Sequence, residues 1–399
     1  MSATVPARRP LAERALAERV RAVPPSGIRR FFDILATMDD VISLGVGEPD
    51  FDTPERIVAA GVRSLHNGRT HYTSNYGTVE LRRALAAHLE ARYGVAYDPA
   101  TEILITVGAS EALDLALRAT CDPGDEVVLH EPSYVAYIPA IVFAGGTPVL
   151  VPTHFEDDFA LDPAAVEAAI TPRTKALFLG YPSNPTGAVL PPAVQDELAR
   201  IAERHDLLVY SDEIYDRLAY GTYRHRAFSS LPGMRERTIL MGGFSKAYAM
   251  TGWRVGWVCA PAPILEGIVK VHQYGIMSAP TPAQDAALVA LTEGEADVER
   301  MRAEYDRRRR LMVDGLNRIG LPTFEPRGAF YVFPRITPTG LSDEAFTERL
   351  LVEERVAVVP GSAFGPSGAG HVRACYATSY AQLEEALIRI ARFVDRNRP

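Results

Sequence analysis

Short apolar runs rich in β-branched residues alternate with helical patterns through the middle of the 399-residue chain. The helical patterns include SEALDLALRA at 110–119 and PAVQDELARIAERH at 192–205. Repeated strand–helix alternation predicts an α/β fold in which helices cover a mainly parallel, seven-stranded sheet. The seventh run follows the sixth too closely for a long crossover, which allows an antiparallel strand there. The seven runs are 102–107, 126–130, 147–152, 175–180, 207–211, 238–242 and 254–260.

The two ends of the chain show a different pattern. A charged helical pattern covers roughly 285–318, and strand-like segments follow at 328–334, 356–361 and 371–377. This mixture is typical of a separate α+β unit, and the chain length also favours two domains. Because the main sheet begins later, we expect the N-terminal segment to pack with this unit. The predicted domains are a large domain at 59–289 and a smaller α+β domain from the chain ends, 1–58 and 290–399.

Charge and cysteine content exclude several classes of protein. The net charge of −8 argues against a nucleic-acid partner, and no apolar run reaches membrane-spanning length. The one dense basic run, 307–310, lies in a helical pattern that predicts a solvated helix face. The three cysteines, Cys121, Cys259 and Cys375, are far apart and lack metal-ligand spacing. They predict buried thiols in a reducing cytoplasm, and the N-terminus lacks the apolar core of a secretory signal.

Polar and aromatic residues follow strand after strand in the predicted sheet. In an open α/β sheet, ligands bind beyond the carboxyl ends of the strands. Segments that collect at this end of the sheet therefore predict a functional site. The segments are GAS (108–110), EPSY (131–134), YPSNPTG (181–187), SDEIY (211–215) and GFSK (243–246).

Lys246 is the residue in these segments with the most specific chemistry. It follows the strand-like TILM, and Gly242 and Gly243 predict a tight bend just before it. Burial lowers the pKa of an amine, and a neutral amine can form a Schiff base with a carbonyl. Eight residues on, Arg254 offers a planar, permanently charged group suited to phosphate. A lysine imine together with a phosphate anchor is what pyridoxal phosphate requires.

The GAS segment predicts a phosphate site. Its backbone N–H groups and Ser110 would stand at a helix N-terminus, although Ser110 alone could simply be an N-cap. Ser245 and Arg254, which point to the same end of the sheet, favour phosphate. The pair Gly45 and Gly47 is not a dinucleotide fingerprint, because the third glycine position holds an aspartate.

Four further residues could surround a pyridine ring. Asp212 could accept a hydrogen bond from a protonated ring nitrogen, or it could be a helix N-cap or a surface carboxylate. Tyr215 and Asn184 could bond a ring oxygen, and the Asn184–Pro185 bond is either cis or an ordinary turn. Tyr134 could stack on the ring or merely pack.

Arg373 is a single arginine in the apolar strand HVRACYA. An arginine in such a strand pairs with a carboxylate, which could belong to the protein or to a substrate. The glycine-rich segment 361–371 has no helix N-terminus after it, and it predicts a mobile connection.

Together these motifs resemble the fold type I pyridoxal-phosphate aminotransferases of class I/II, over nearly the whole chain. The stretch GFSKAYAMTGWRVG matches that family's lysine signature, and NPTG, SDEIY and GWRVG occur in the family's order. The resemblance implies that Lys246 carries the cofactor and moves protons, with Asp212 and Tyr215 as its catalytic companions. The implied cofactor ligands are Lys246, Asp212, Asn184, Tyr215, Tyr134, Ala109, Ser110, Ser245, Arg254 and Tyr72.

The resemblance also implies partners. Arg373, with the backbone of Gly47 and with Asn184, would bind the substrate's α-carboxylate. An amino acid and a 2-oxo acid would react in turn by a ping-pong mechanism. Tyr72, in HYTSNYG, would reach the phosphate of a second subunit, which implies a cytoplasmic homodimer with shared active sites and no nucleic-acid or membrane partner.

The substrate is less constrained. No arginine occurs from 261 to 281, and Ser110 stands where some relatives have a lysine, which weakens a dedicated aspartate specificity. Ile28, Phe31 and Phe32 could line an apolar pocket or only anchor their helix. We therefore expect aromatic, alanine-like or broadly neutral amino acids with 2-oxoglutarate. The alternatives are an aspartate or acyl-diamino-acid aminotransferase, a carbon–sulfur β-lyase, a cofactor-binding regulator and a non-catalytic relative.

Overall fold

The computed structural model describes residues 40–398, residues 15–25 and positions 11 and 38. The predictions for Ile28, Phe31 and Phe32 lie outside these residues. Twelve strands occur in the described part of the chain. They are β1 (Ile42–Ser43), β2 (Ile103–Thr106), β3 (Glu126–Glu131), β4 (Thr147–Pro152), β5 (Thr174–Gly180), β6 (Leu208–Asp212), β7 (Thr238–Gly243), β8 (Gly256–Cys259), β9 (Tyr331–Val332), β10 (Val356–Ala357), β11 (Val359–Pro360) and β12 (Val372–Cys375).

The seven predicted strands form one sheet in the order β2-β8-β7-β6-β5-β3-β4. All neighbours are parallel except β8, which runs antiparallel to both β2 and β7. Strands β2, β3 and β8 are buried along their whole length, because helices cover both faces of the sheet. The predicted α/β fold with a mainly parallel sheet is confirmed, including the antiparallel seventh strand.

The described helices begin and end close to the predicted patterns. They are α1 (Glu18–Arg21), α2 (Glu55–His66), α3 (Val79–Tyr93), α4 (Ala109–Thr120), α5 (Tyr137–Ala144), α6 (Pro163–Ala169), α7 (Pro192–Arg204), α8 (Ala262–Gly275), α9 (Thr281–Glu293), α10 (Glu295–Ile319), α11 (Asp343–Glu354) and α12 (Tyr380–Arg396). The single helix expected over 285–318 is wrong, since α9 and α10 meet at Gly294. A Cβ on Gly294 would lie 2.5 Å from the Ala290 carbonyl oxygen.

A second core joins the two ends of the chain. Strand β1 pairs with β10, and β12 lies between β11 and β9. The Leu44 amide donates to the Ala357 carbonyl, and the Cys375 amide donates to the Leu44 carbonyl. Both hydrogen bonds are 2.8 Å long. Residues 42–44 therefore pair with strands of the C-terminal unit. The exact domain limits, 58/59 and 289/290, stay a prediction.

One surface prediction is wrong, and a second segment has more structure than its sequence indicates. Arg308 and Arg309, within the run 307–310, are buried and ion-paired, so this is not a wholly solvated helix face. The segment 361–371 is more than a bare connection, because it forms two short 3₁₀ turns. The Ser133 amide donates to the Phe364 carbonyl, and the Ser367 amide donates to the Glu131 carboxylate. Both hydrogen bonds are 3.1 Å long.

The three cysteines are buried and unpaired, as their spacing indicates. Among the described residues, no helix combines the length and apolar character needed to cross a membrane.

Candidate active site

A cavity of about 640 Å³ opens where the carboxyl ends of the central strands meet β9, β12 and the segment after β1. It contains every predicted site residue except Tyr72. Those residues are Gly47, Ala109, Ser110, Tyr134, Asn184, Asp212, Tyr215, Ser245, Lys246, Arg254 and Arg373. The structure thus brings together side chains that lie up to 326 positions apart, from Gly47 to Arg373.

The bend before Lys246 lies later than predicted. Gly242 and Gly243 belong to strand β7, and the chain turns only after them. Glycine is needed at position 242 because a Cβ there would come within 2.4 Å of the Trp257 ring. The turn then directs Lys246 into the cavity, where its Nζ donates to the Gly47 carbonyl at a distance of 2.6 Å.

Lys246 has an unusually acidic ammonium group. Burial is the main cause and lowers its pKa to about 8. Arg373 and Arg254 lower the pKa further, while Cys375 and Glu48 oppose the shift. A lysine with this pKa is partly neutral near physiological pH and can act as a nucleophile or a base.

Asp212 ends β6 and faces the cavity. No helix follows it, so it is not an N-cap. Its Oδ2 accepts a hydrogen bond from the Tyr137 hydroxyl at 2.9 Å, and its Oδ1 accepts one from the Ile214 amide at 3.2 Å. Burial raises the pKa of Asp212 to about 6, although these two hydrogen bonds and Lys246 oppose the rise.

Tyr137 also lines the cavity, although no sequence motif indicates it. It stands in the first turn of α5, three residues after Tyr134, and the two rings meet edge to face at 5.5 Å. Glycine at position 180 makes room for it, because a Cβ there would lie 2.6 Å from the Tyr137 hydroxyl. Tyr134 lies in the turn before α5, so the spacing of the two tyrosines is not a helical signal that pairs their rings.

One end of the cavity is suited to an anion. Gly108, not Ser110, is the N-cap of α4, so the amides of Ala109 and Ser110 have no partner within the helix. A Cβ on Gly108 would lie 2.7 Å from Arg254 Nη2, which shows how closely that guanidinium approaches the helix start. Arg254 donates to the Thr251 carbonyl at 2.9 Å, and no described carboxylate lies within 4.0 Å of it. This helix end and Arg254 can together hold a phosphate.

Arg373 lies at the other end of the cavity. It is 4 % exposed, and it donates to Asn184 Oδ1 at 2.9 Å and to the Gly45 carbonyl at 2.5 Å. Its Nε is buried without a partner, and its guanidinium lies 4.7 Å from the Tyr331 ring centroid. Within the described chain no carboxylate comes within 4.0 Å, so the alternative of a structural acid partner finds no support. A buried guanidinium of this kind can receive a ligand's carboxylate.

Tyr215 reaches the cavity from the turn after β6. Its hydroxyl lies 2.7 Å from the hydroxyl of Tyr331, a residue that the sequence did not single out. Tyr331 requires glycine at position 47, where a Cβ would be 2.4 Å from its hydroxyl oxygen. The Asn184–Pro185 bond is cis.

Tyr72 lies away from this cavity and is 80 % exposed. Its loop is fixed to the start of α9, since Asn75 donates to the Met277 carbonyl and Thr281 donates to the His71 carbonyl. Large apolar side chains around this loop, including Tyr274, are also exposed. A contact between Tyr72 and a phosphate would need a second subunit and stays a prediction.

Comparison with known proteins gives one consistent family. The model described as aminotransferase class I and II matches residues 39–390. The chain is 48 % identical to an aspartate aminotransferase of Pyrococcus abyssi, over 95 % of this chain and 98 % of that protein. It is 46 % identical to aromatic-amino-acid aminotransferase 2 of Thermococcus litoralis, with the same coverage. A solved aromatic aminotransferase from Pyrococcus horikoshii superimposes with a TM-score of 0.88 at 48 % identity, covering 92 % of this chain and 99 % of that one.

Proposed function

Because the chain belongs to the class I and II aminotransferases, and is therefore a transferase enzyme, we propose that it works with pyridoxal 5′-phosphate bound to Lys246. The observation that carries this proposal is the setting of Lys246. Its pKa is lowered to about 8, and its cavity contains two guanidiniums, of Arg254 and Arg373, without carboxylate partners among the described residues. One guanidinium is available for a phosphate and the other for a substrate carboxylate.

The residues present fit this cofactor. The free amides at the start of α4, Ser110, Ser245 and Arg254 would hold the phosphate. Asp212 would bind the pyridine nitrogen, Tyr215 and Asn184 the ring oxygen, and Tyr134 the ring face. A volume of about 640 Å³ is within the usual range for a small-molecule site. When bound, pyridoxal phosphate supplies an electron sink for the negative charge that develops at the substrate α-carbon.

Three side chains of the site would then have separate roles in the reaction. Lys246 would hold the cofactor covalently and, as a neutral amine, would be the base that takes the substrate's α-proton. Asp212 is mostly ionised above its pKa of about 6 and would pair with a protonated pyridine nitrogen. Arg373 orients the substrate through its α-carboxylate. An amino acid and then a 2-oxo acid use the same site in turn, which gives ping-pong kinetics.

The same proposal includes a cytoplasmic homodimer. Tyr72 would contact the phosphate in the partner subunit, and its exposure together with that of Tyr274 supports a surface that a second copy covers. Three buried, unpaired cysteines are compatible with a reducing compartment.

The cavity favours neutral side chains. Once Lys246, Arg254 and Arg373 are engaged, no further lysine or arginine lines the described cavity, and Glu48 adds a negative charge at its edge. Val46, Leu113, Val135 and Ile214 supply apolar surface. We propose aromatic, alanine-like or broadly neutral amino acids with 2-oxoglutarate as acceptor. Aspartate remains the alternative, since relatives named for aspartate and for aromatic amino acids are almost equally similar, at 48 % and 46 % identity.

Borohydride reduction tests the central proposal. The chain has three lysines, Lys175, Lys246 and Lys270, so an adduct can be assigned by peptide mass spectrometry without ambiguity. The purified protein should be yellow, and reduction should fix the cofactor to Lys246 alone. An adduct on either other lysine, or none, would contradict the proposal.

A panel of amino acids with 2-oxoglutarate, pyruvate and oxaloacetate then identifies the substrates. Release of pyruvate and ammonia from a cysteine conjugate would instead indicate a β-lyase.

A further inference from the structure

The segment of residues 45–53 contacts two of the three cationic side chains of the active site, Lys246 and Arg373, yet it forms no helix or strand. The Gly45 carbonyl accepts from Arg373, and the Gly47 carbonyl accepts from Lys246. No main-chain group of residues 45–53 is hydrogen-bonded to another described main-chain group. Among the described residues, the contacts that position these two carbonyls therefore come from side chains.

The ends of the segment are attached firmly. At one end, Leu44 is bonded on both sides, to Ala357 and Cys375. At the other end, the Thr53 hydroxyl donates to the Ala249 carbonyl at 2.6 Å and accepts from the Trp253 indole at 3.0 Å. Between these ends the segment is largely at the surface, and Val46 and Glu48 are exposed.

Arg308 of α10 contacts the middle of this segment, at Asp50 and Phe51. Its side chain is 6 % exposed, and its Nη1 donates to Asp50 Oδ1 at 2.8 Å while its Nε donates to Glu304 at 2.9 Å. The guanidinium also lies 5.2 Å from the Phe51 ring centroid, and Phe51 packs edge to face on Tyr305. Arg308 thus contacts two consecutive residues of the segment through a partly buried ion pair and a ring face.

We propose that Arg308 is a positioning residue for the active site, which places the Gly47 carbonyl against Lys246 and the Gly45 carbonyl against Arg373 by holding Asp50 and Phe51. It touches no reacting group itself. Arg308 acts in this way on catalysis only if Lys246 and Arg373 have the roles proposed above.

Loss of this anchor changes Lys246 in a defined direction. A carbonyl acceptor stabilises the charged form of an amine, so a displaced Gly47 carbonyl lowers the pKa of Lys246. Glu48 belongs to the same segment and raises that pKa, so its movement away has the same sign. As long as Lys246 stays buried, both changes lower its pKa below the present value of about 8. Arg373 loses its carbonyl acceptor at the same time, and substrate binding weakens.

The next residue on α10 provides a matched control. Arg309 is also buried, with a side chain 4 % exposed, and is ion-paired with Asp306 and Glu325. Within the described chain, its hydrogen bonds, ion pairs and ring contacts do not involve residues 45–53. The variants Arg308→Gln and Arg309→Gln remove a similar buried charge from neighbouring positions, so a general loss of stability would affect both. Asp50→Ala breaks the anchor from its more exposed side and leaves Arg308 paired with Glu304.

The test measures Lys246 directly. Full-length, cofactor-free protein is labelled with an amine-reactive reagent over a range of pH values, and labelling of each lysine is followed by mass spectrometry. Lys270, whose side chain is 66 % exposed, is the internal reference. We expect the labelling midpoint of Lys246 to move to lower pH in Arg308→Gln and Asp50→Ala, and to stay at the wild-type value in Arg309→Gln.

Kinetics supply the second measurement. We expect kcat/KM to fall on the order of tenfold to a hundredfold in Arg308→Gln, mainly through KM, as small displacements of a site produce. Arg308→Lys should recover part of the loss.

Equal effects of Arg308→Gln and Arg309→Gln, with unchanged Lys246 labelling, would overturn the proposal. If Arg308→Gln fails to fold, Asp50→Ala decides the question alone. Labelling needs no turnover, so an inactive wild-type protein would contradict the proposed function and leave this test intact.

Discussion

At the scale of single residues, the site balances burial against hydrogen bonding. Burial raises the pKa of Asp212 to about 6, and the hydroxyl of Tyr137 limits the rise by stabilising the carboxylate. Because the pKa of an aspartate in the unfolded chain is about 3.9, ionising Asp212 destabilises the folded state relative to the unfolded one. That cost grows as pH rises from about 4 through about 6 in the cofactor-free protein. A protonated pyridine nitrogen would remove it by supplying an opposite charge.

The first prediction concerns this hydroxyl. In Tyr137→Phe, Asp212 loses a hydrogen bond worth about 1.5–3 kcal/mol, so its pKa rises further and less of it is ionised near pH 6. Cofactor affinity should fall about tenfold at pH 6 and much less at pH 8. Cofactor titrations across this pH range measure the shift.

Tyr181→Phe serves as the control for this prediction. Tyr181 is buried like Tyr137, but its hydroxyl donates to the Phe159 carbonyl at 3.2 Å and does not contact Asp212. Its affinity profile should follow that of the wild type. Identical profiles for both variants would mean that Tyr137 does not set the ionisation of Asp212.

At the scale of elements, strand β8 and helix α4 approach each other without side chains between them. A Cβ on Gly256 would lie 2.5 Å from the Gly108 carbonyl carbon and 2.6 Å from the Ala109 amide nitrogen. Both neighbours are backbone atoms and cannot rotate away. This close approach brings Arg254, two residues before Gly256, to the free amides of the helix.

Gly256→Ala should therefore separate the two halves of the phosphate site. Overpacking of this kind costs about 1–3 kcal/mol of unfolding free energy. The more specific expectation is that preference for pyridoxal phosphate over pyridoxal decreases, since only the phosphate contacts are disturbed. Gly252→Ala is the control, because a Cβ there meets nothing within 4 Å. Equal preference in the two variants would argue against the role of this contact.

The sequence predicts elements better than the contacts between them. All seven sheet strands were found because buried runs of β-branched residues are a local signal. The sequence predicts a bend at Gly242 because the ring that requires glycine there, Trp257, lies on the neighbouring strand. The run 307–310 predicts a solvated face because the partner of Arg308, Asp50, is 258 positions away. The site lysine and aspartate were found by motif, whereas Tyr137 and Tyr331 become visible only when the strands are assembled.

At the scale of the whole molecule, a single chain contains a cavity with every predicted ligand except Tyr72. That residue is 80 % exposed, on a loop fixed to Met277 and Thr281. A tyrosine held in a defined loop but facing solvent has little value for the stability of one chain. Its position is explained if the functional unit is a dimer in which each cavity is completed by the other subunit.

Mixing two defective variants tests this arrangement. Lys246→Ala cannot hold the cofactor covalently, and Tyr72→Ala should bind it about tenfold more weakly through loss of one hydrogen bond to a charged phosphate. If Tyr72 acts across the interface, a hybrid dimer contains one site with both residues intact and one with neither. Subunit exchange between the variants should then create a class of tight sites, measured by cofactor titration at low concentration. If Tyr72 instead serves its own chain, no hybrid site is intact, and exchange restores nothing.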